Sequence, residues 1–264
     1  MPFRHKSLVV MMPADNFPGW SMSTLDIQLR NVQHVKPGAG GVATPILRGV
    51  SMTVPAGQCV GLIGASGSGK TTILRLLNRL EDPTGGEIRY GGQLLTDLPV
   101  TELRRRITLV NQRTVMFPGS VLDNVLAPDT LREQPGDVAR ARRMLDLMRL
   151  PSELADRDAQ ALSTGQQARV QLARILYLEP EVLMLDESMA NLDPKVAGEI
   201  LDDLHRLVAE AGKTVLHVSH KLEHLQFCAR VLYLADGLIA ADGPPREILA
   251  PDGPAAALLR REAS

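Results

Sequence analysis

The chain has 264 residues, 44% of them hydrophobic and 22% charged, with 29 Lys plus Arg against 30 Asp plus Glu for a formal charge of −1. That size suits one large α/β domain or two small ones. The composition excludes a disordered or collagen-like chain, and the balanced charge gives no overall attraction for nucleic acid. No apolar run reaches the roughly 18–20 residues that carry a helix across a bilayer. Two cysteines, Cys59 and Cys228, are too few for a disulfide scaffold and read as small buried hydrophobes in a reducing compartment. Aromatic residues make up only 3% of the chain, and none falls between Trp20 and Tyr90.

Residues 1–24 read as a flexible extension. Met1-Pro-Phe-Arg-His-Lys6 and the apolar stretch after it form too short a pattern for a secretory leader, and Met22 is a candidate start. From Leu25 to Val32 apolar and polar residues alternate as in a half-buried strand, and Ile46–Val54 forms a second strand-like segment. Cys59–Ile63 reads as a fully buried strand, as do Val182–Leu185, Val215–Val218 and Val231–Leu234. Helical periods over Thr71–Arg79, Gly165–Tyr177 and Lys195–Ala211 separate them. This alternation predicts an α/β fold with a mostly parallel sheet covered on both faces. An Arg-, Leu- and Met-rich helix over Asp137–Leu150 lies in a helical insertion spanning about 113–165. The segment after Gly243 is Pro-, Ala- and Gly-rich and is expected to be a short tail, 244–264.

Gly64-Ala65-Ser66-Gly67-Ser68-Gly69-Lys70-Thr71 satisfies G-x-x-x-x-G-K-[ST] between a buried strand and a helix, with Thr72 next in the helix. Glycines let backbone N–H groups close around phosphate oxygens, and a helix N-terminus favours the anion. Lys70 supplies a positive charge for the β- and γ-phosphates, and the Thr71 hydroxyl can ligate Mg²⁺. Val182-Leu-Met-Leu-Asp186-Glu187 is an apolar strand ending in two carboxylates. Asp186 can hold Mg²⁺ through its water shell, and Glu187 can polarise an attacking water as general base. These residues alone define a P-loop NTPase and leave kinases, GTPases, helicases and transport ATPases open.

Leu162-Ser163-Thr164-Gly165-Gln166, directly before an amphipathic helix, narrows the class. Here the chain resembles the ABC-transporter ATPases, whose signature Leu-Ser-Gly-Gly-Gln precedes a helix of this make-up. The resemblance runs from about Leu25 to Gly243 and implies a single cassette, with an N-terminal antiparallel β subdomain and an inserted helical subdomain. It assigns Gln112 to a glutamine that touches Mg²⁺ and the attacking water, and Asp193 to a loop crossing between subunits. It also assigns His220 to a histidine facing the γ-phosphate, while His217 and His224 read as structural. ATP and Mg²⁺ are the implied cofactors. Two subunits are implied to face each other head to tail, each ATP held by one subunit's Lys70 loop and the other's Ser163–Gln166.

The sequence departs from the family pattern at Thr164, where Gly is usual, and at Ser188, where Pro is usual. The larger departure is the aromatic gap. The family commonly stacks adenine on an aromatic residue after the first strand, whereas Asn31–Pro37 has none, leaving His34, Val35 or the Lys36 stem to lie under the base. With no membrane segment, the implied partner is a separate integral-membrane permease. Met116, Phe117, Val121 and Leu122 are candidate groove residues for its helix, and the location is cytoplasmic at the inner face of the cell membrane. The branch looks closest to small stand-alone ATPases of bacterial iron export and plant aluminium tolerance, with phosphate importers sharing part of the pattern. ABC ATPases of DNA repair or translation are the non-transport alternative. Their long coiled coils or paired cassettes have no room here, and no nucleic acid partner is expected.

Overall fold

A computed structural model describes residues 25–37, 43–110, 113–186, 193–219, 222–256 and 258. In chain order the elements are β1 (Ile27–Pro37), β2 (Ala43–Val54), β3 (Cys59–Ile63), α1 (Lys70–Leu77), β4 (Gly85–Tyr90), β5 (Gln93–Leu94), α2 (Val100–Arg106), β6 (Ile107–Val110) and α3 (Val121–Thr130). There follow α4 (Val138–Leu147), α5 (Thr164–Tyr177), β7 (Val182–Asp186), α6 (Pro194–Ala211), β8 (Thr214–Val218), α7 (Leu222–Leu225), β9 (Arg230–Ala235), β10 (Leu238–Gly243) and α8 (Pro245–Ile248). The strands form two sheets, a four-stranded antiparallel one ordered β2-β1-β4-β5 and a six-stranded one ordered β10-β9-β3-β8-β7-β6. In the larger sheet β9, β3, β8, β7 and β6 run parallel, and β10 returns antiparallel along β9. The α/β class with a mostly parallel sheet is therefore observed.

Successive side chains of a strand point to opposite faces, and here that rule divides the core in two. Val60, Leu62, Met184, Leu216 and Val218 pack with α1 and with Ile27, Leu29 and Val50 of the antiparallel sheet. Ile63, Leu183, Leu185 and Val215 of the same strands pack on the other face against α3, α4, α5 and α6. Ile248, Ala255 and Leu258 are buried in this second cluster as well. Burial on both faces is why β3, β7 and β8 read as unbroken apolar runs.

Local chemistry fixes where the helices start. Ser120 and Ser163 each cap a helix through a reciprocal box, with Asp123 and Gln166 respectively reaching back to the cap. Asp193 accepts from the N–H groups of Lys195 and Val196, Pro194 follows at the first helical position, and Gly212 ends α6 in the left-handed region. The stretch between β6 and α5 holds α3, α4 and two short 3-10 turns, the latter at Ser152–Leu154 and Ala159–Ala161.

One buried carboxylate ties α5 to α6. Asp203, 1% exposed, faces Arg149 at 2.7 Å, Arg169 at 3.7 Å and Arg206. Arg169 is itself buried and donates to Glu199 at 2.6 Å and to the Met148 carbonyl at 3.0 Å. Removing one side of a buried pair leaves the other charge uncompensated. Asp203→Ala is therefore expected to cost about 3 kcal/mol in a denaturant titration. An unchanged midpoint would show that the arginines re-pair at no cost.

Candidate nucleotide-binding site

The site begins where β3 ends. Gly64, Ser68, Gly69, Lys70 and Thr72 are buried, whereas Ala65, Ser66, Gly67 and Thr71 are exposed. Two glycines adopt left-handed backbone, Gly67 at φ 79° and Gly69 at φ 109°, and Gly69 caps α1 without a side chain. Gly64 is constrained by space: a Cβ there would lie 2.3 Å from the Leu234 carbonyl oxygen and 2.7 Å from Ser68 Oγ. The loop is thus pressed against β9 on one side while Gly67 faces open space on the other. Lys70 is 7% exposed, and its ammonium donates to the carbonyls of Gly64 at 2.7 Å and Ala65 at 3.0 Å. The Ser68 hydroxyl oxygen is buried and has no hydrogen-bond partner, an unmet polar group inside the phosphate loop.

Parallel pairing carries the second half of the site to the same edge. Asp186 ends β7 level with Val218 of β8, and Val218 is level with Leu62 of β3. Thr71 Oγ donates to Asp186 Oδ1 at 3.3 Å, which brings together two of the residues expected to hold a cation. A hydroxyl and a carboxylate oxygen at that spacing form a hard-oxygen donor set suited to Mg²⁺, which keeps several of its waters. Gln112, Glu187 and His220 lie outside the described residues; in sequence they follow the last residues of β6, β7 and β8 by one or two positions.

The signature stands on the exposed start of a different helix. Ser163 Oγ accepts from the Gln166 N–H at 3.3 Å, and the Ser163 N–H donates to Gln166 Oε1 at 3.1 Å. Ser163 and Thr164 are exposed, and Thr164 sits in the first turn without interrupting the helix. Gly165 is tightly placed, since a Cβ there would come 3.2 Å from Val196 of α6. Asp193, the expected crossing residue, is exposed and caps α6 through Oδ1.

Two of the sequence readings shift, at His34 and Val121, and one holds, at His217. His34 is 7% exposed and turned inward, its Nδ1 3.1 Å from the Asp82 carbonyl and its Nε2 2.9 Å from Glu81. It is therefore not displayed for stacking, and the half-exposed Val35 and Lys36 are the residues left on that stretch. Lys36 also bonds Glu81 at 3.1 Å; burial raises the Glu81 carboxyl, but hydrogen bonds from Lys36 and Arg75 outweigh it and hold the acid below its ordinary range. Val121 is a core residue with no exposed surface, not a groove residue, whereas Phe117 and Val115 are exposed. His217 fits its structural reading: complete burial, with His224 and His205 nearby, pushes its imidazole down to about 3.

Sequence reasoning missed how firmly the segment after residue 112 is held. Val115 N–H donates to Gln171 Oε1 at 3.0 Å, and Arg174 donates to the Val115 carbonyl at 2.7 Å while lying over the Phe117 ring at 4.6 Å. The fully buried Asn124 bonds both the N–H and the carbonyl of Phe117. The Gln and Arg residues of α5 gave no more signal than an ordinary helix face.

A phosphate loop, a β7 carboxylate at hydrogen-bond range of the loop's hydroxyl, and parallel strands ending at one edge define a P-loop nucleoside triphosphatase. Residues 47–190 match the family described as ABC transporter. The chain is 39% identical over 206 residues to ABC transporter I family member 17 of Arabidopsis thaliana, covering 78% of this chain and 76% of that one. It is 40% identical over 215 residues to the Fe(3+) ions import ATP-binding protein FbpC 1 of Rhizobium meliloti, covering 80% of this chain but 59% of the relative. Among solved structures, the dimeric post-hydrolysis state of the ATP-binding cassette MJ0796 bound to ADP and Pi superposes with a TM-score of 0.74 at 31% identity, covering 83% of this chain and 99% of that one. The chain belongs to the ABC transporter family, as an ATP-binding and ATP-hydrolysing cassette.

One tight and one open glycine in the loop make separable predictions. Gly64→Ala drives a methyl into a backbone carbonyl and is expected to raise the nucleotide dissociation constant at least about tenfold. Gly67→Ala meets no atom and costs only the left-handed backbone, about 1 kcal/mol, so its loss of affinity should be smaller. Titration with a fluorescent nucleotide measures both, and the reverse order would refute this account of the loop.

Proposed function

We propose that two copies of this chain close head to tail around two ATP molecules and so drive a separate membrane permease. In each composite site Gly64–Gly69, Lys70, Thr71 and Thr72 hold the phosphates of one nucleotide. Ser163, Thr164, Gly165 and Gln166 of the other copy present a helix N-terminus to the γ-phosphate, with Asp193 crossing nearby. The observation that carries this reading is the exposure of that capped helix start. Its capping box takes up the N–H groups of Ser163 and Gln166, and Ser163 and Thr164 are exposed at its N-terminal end. Asp186, Thr71 and Gln112 would hold Mg²⁺, which when bound offsets charge on the phosphates. Glu187 takes the proton from the attacking water, and His220 contacts the γ-phosphate. Hydrolysis then removes the charge that bridges the copies.

The cassette spans residues 25–243 on this reading, with the insertion at about 113–165 facing the permease. Exposed Val115 and Phe117, backed by Met116 and Leu122, offer the apolar contact for a permease helix. Among the described residues no helix is long and apolar enough to cross a membrane, which suits a subunit that reaches the membrane through its partner, at the inner face of the cell membrane. The transported solute is small, a metal ion being the favoured class; one relative's name specifies Fe(3+) import.

Glu187→Gln should retain ATP binding, lose turnover and elute as an ATP-dependent dimer in gel filtration. Turnover at the wild-type rate would remove Glu187 from the role of base. A mixing test addresses the head-to-tail arrangement directly. Lys70→Ala and Gly165→Glu copies, each inactive alone, should regain activity when combined, because one of the two composite sites is then intact. Without an aromatic under adenine, binding loses on the order of 1 kcal/mol, and nanomolar ATP affinity of the single subunit would contradict that.

A further inference from the structure

Two thiols outside the nucleotide site meet in the core. Cys59 opens β3 and Cys228 lies between α7 and β9, yet their Sγ atoms are 3.3 Å apart. Both are unbridged, at 5% and 4% exposure. Their backbones are already joined, since the Ala229 N–H donates to the Cys59 carbonyl at 2.9 Å and β3 runs parallel to β9 from Val60 and Arg230 onward. Gly61 makes the room: a Cβ there would lie 3.3 Å from Cys228 Sγ. A disulfide requires sulfurs about 2.05 Å apart, so the gap to close between the sulfurs is a little over one ångström. The hydrogen bond from Cys228 favours the thiolate at Cys59 against the opposing effect of burial, with His205 adding to it, and correspondingly holds the proton on Cys228.

We propose that Cys59 and Cys228 form a reversible dithiol–disulfide site, closed by a peroxide, that staples the segment between residue 222 and β9 onto β3. The Cys59 thiolate attacks one peroxide oxygen and the O–O bond breaks, leaving a sulfenic acid and a hydroxide that takes up the proton Cys59 had released. The Cys228 sulfur then attacks the Cys59 sulfur, the S–O bond breaks, and the hydroxyl leaves as water with the Cys228 proton. Two thiols are oxidised and hydrogen peroxide is reduced to two waters. Because β3 leads into the phosphate loop and α7 begins two residues after His220, the staple restrains both, and ATP turnover slows. That last effect rests on the role proposed for His220; the bond itself does not.

The test treats the full chain with hydrogen peroxide and reads three quantities. Under denaturing, non-reducing conditions the intact mass should fall by two hydrogen atoms and neither cysteine should react with iodoacetamide. ATP turnover should drop by roughly threefold or more, and dithiothreitol should restore both thiols and rate. Cys228→Ala and Cys228→Ser should hydrolyse ATP normally and lose the reversible peroxide response. Thiols that remain alkylatable, accumulation of sulfinic acid, or a bond between two chains would overturn the site. A disulfide that forms with turnover unchanged would overturn the restraint alone. The mass and alkylation readouts thus separate the bond from the histidine's role.

Discussion

The parallel register of β3, β8 and β7 is the constraint on which the rest of the site depends. Leu62, Val218 and Asp186 are level across the three strands. The ends of these strands therefore lie at one edge: the phosphate loop follows β3, Ser219 follows β8 and Asp186 ends β7. A slip of one residue in any pair would turn that strand's side chains to the wrong face. With Leu183 and Leu185 packed on the helices and Met184 on the opposite cluster, such a slip would empty both cores at once. Core packing thereby sets the 3.3 Å contact between Thr71 and Asp186.

A second constraint runs through α5. Its first turn carries the signature, its middle carries Arg169, and its later turns carry Gln171 and Arg174. Arg169 bonds Glu199 of α6, the helix that Asp193 caps. Gln171 and Arg174 grip the backbone of Val115, three residues beyond Gln112. Burial of Arg174 lowers its pKa, yet guanidinium remains charged in working conditions, so the grip is charge-assisted. One helix is thus bonded both to the stretch that follows Gln112 and to α6. On the proposed function, a movement of the permease-facing segment and a movement of the signature are one motion of α5.

Much of this was legible in the sequence because it is written locally. The loop's spacing, the uninterrupted apolar strands and the Ser163 cap each state their own geometry within a few residues. What escaped was set by distant partners. Strand parity in β1 breaks at Asn31, which adopts φ 49° within a bulge opposite β2. Ile27 and Leu29 therefore face the core on odd numbers, while Val32 and His34 face it on even ones. Alternation read from Leu25 onward could not show that His34 turns inward toward Glu81. β4 and β5 were missed for a related reason: Gly85, Gly86, Gly91 and Gly92 weaken the strand signal, and β4 forms by pairing along β1 while β5 pairs along β4. Val121 read as surface because the burial of α3 is imposed by α5, and Cys59 meets Cys228 only through the β3–β9 pairing.

The aromatic gap then acquires an energetic meaning. With His34 buried and Lys36 bonded to Glu81, the described part of β1 offers little flat surface for a base, while the phosphate loop is fully built. Binding free energy on the proposed reading is therefore concentrated on the phosphates, and most of it on contacts that γ-phosphate makes with both copies. Uniform affinity for the base would hold ATP and ADP alike and do nothing for a cycle. Affinity placed at the γ-phosphate differs between the two nucleotides, so it can shift the equilibrium between closed and open dimers. A weakly held base leaves that difference as a larger share of the total, and the product departs more easily once the bridging charge is gone.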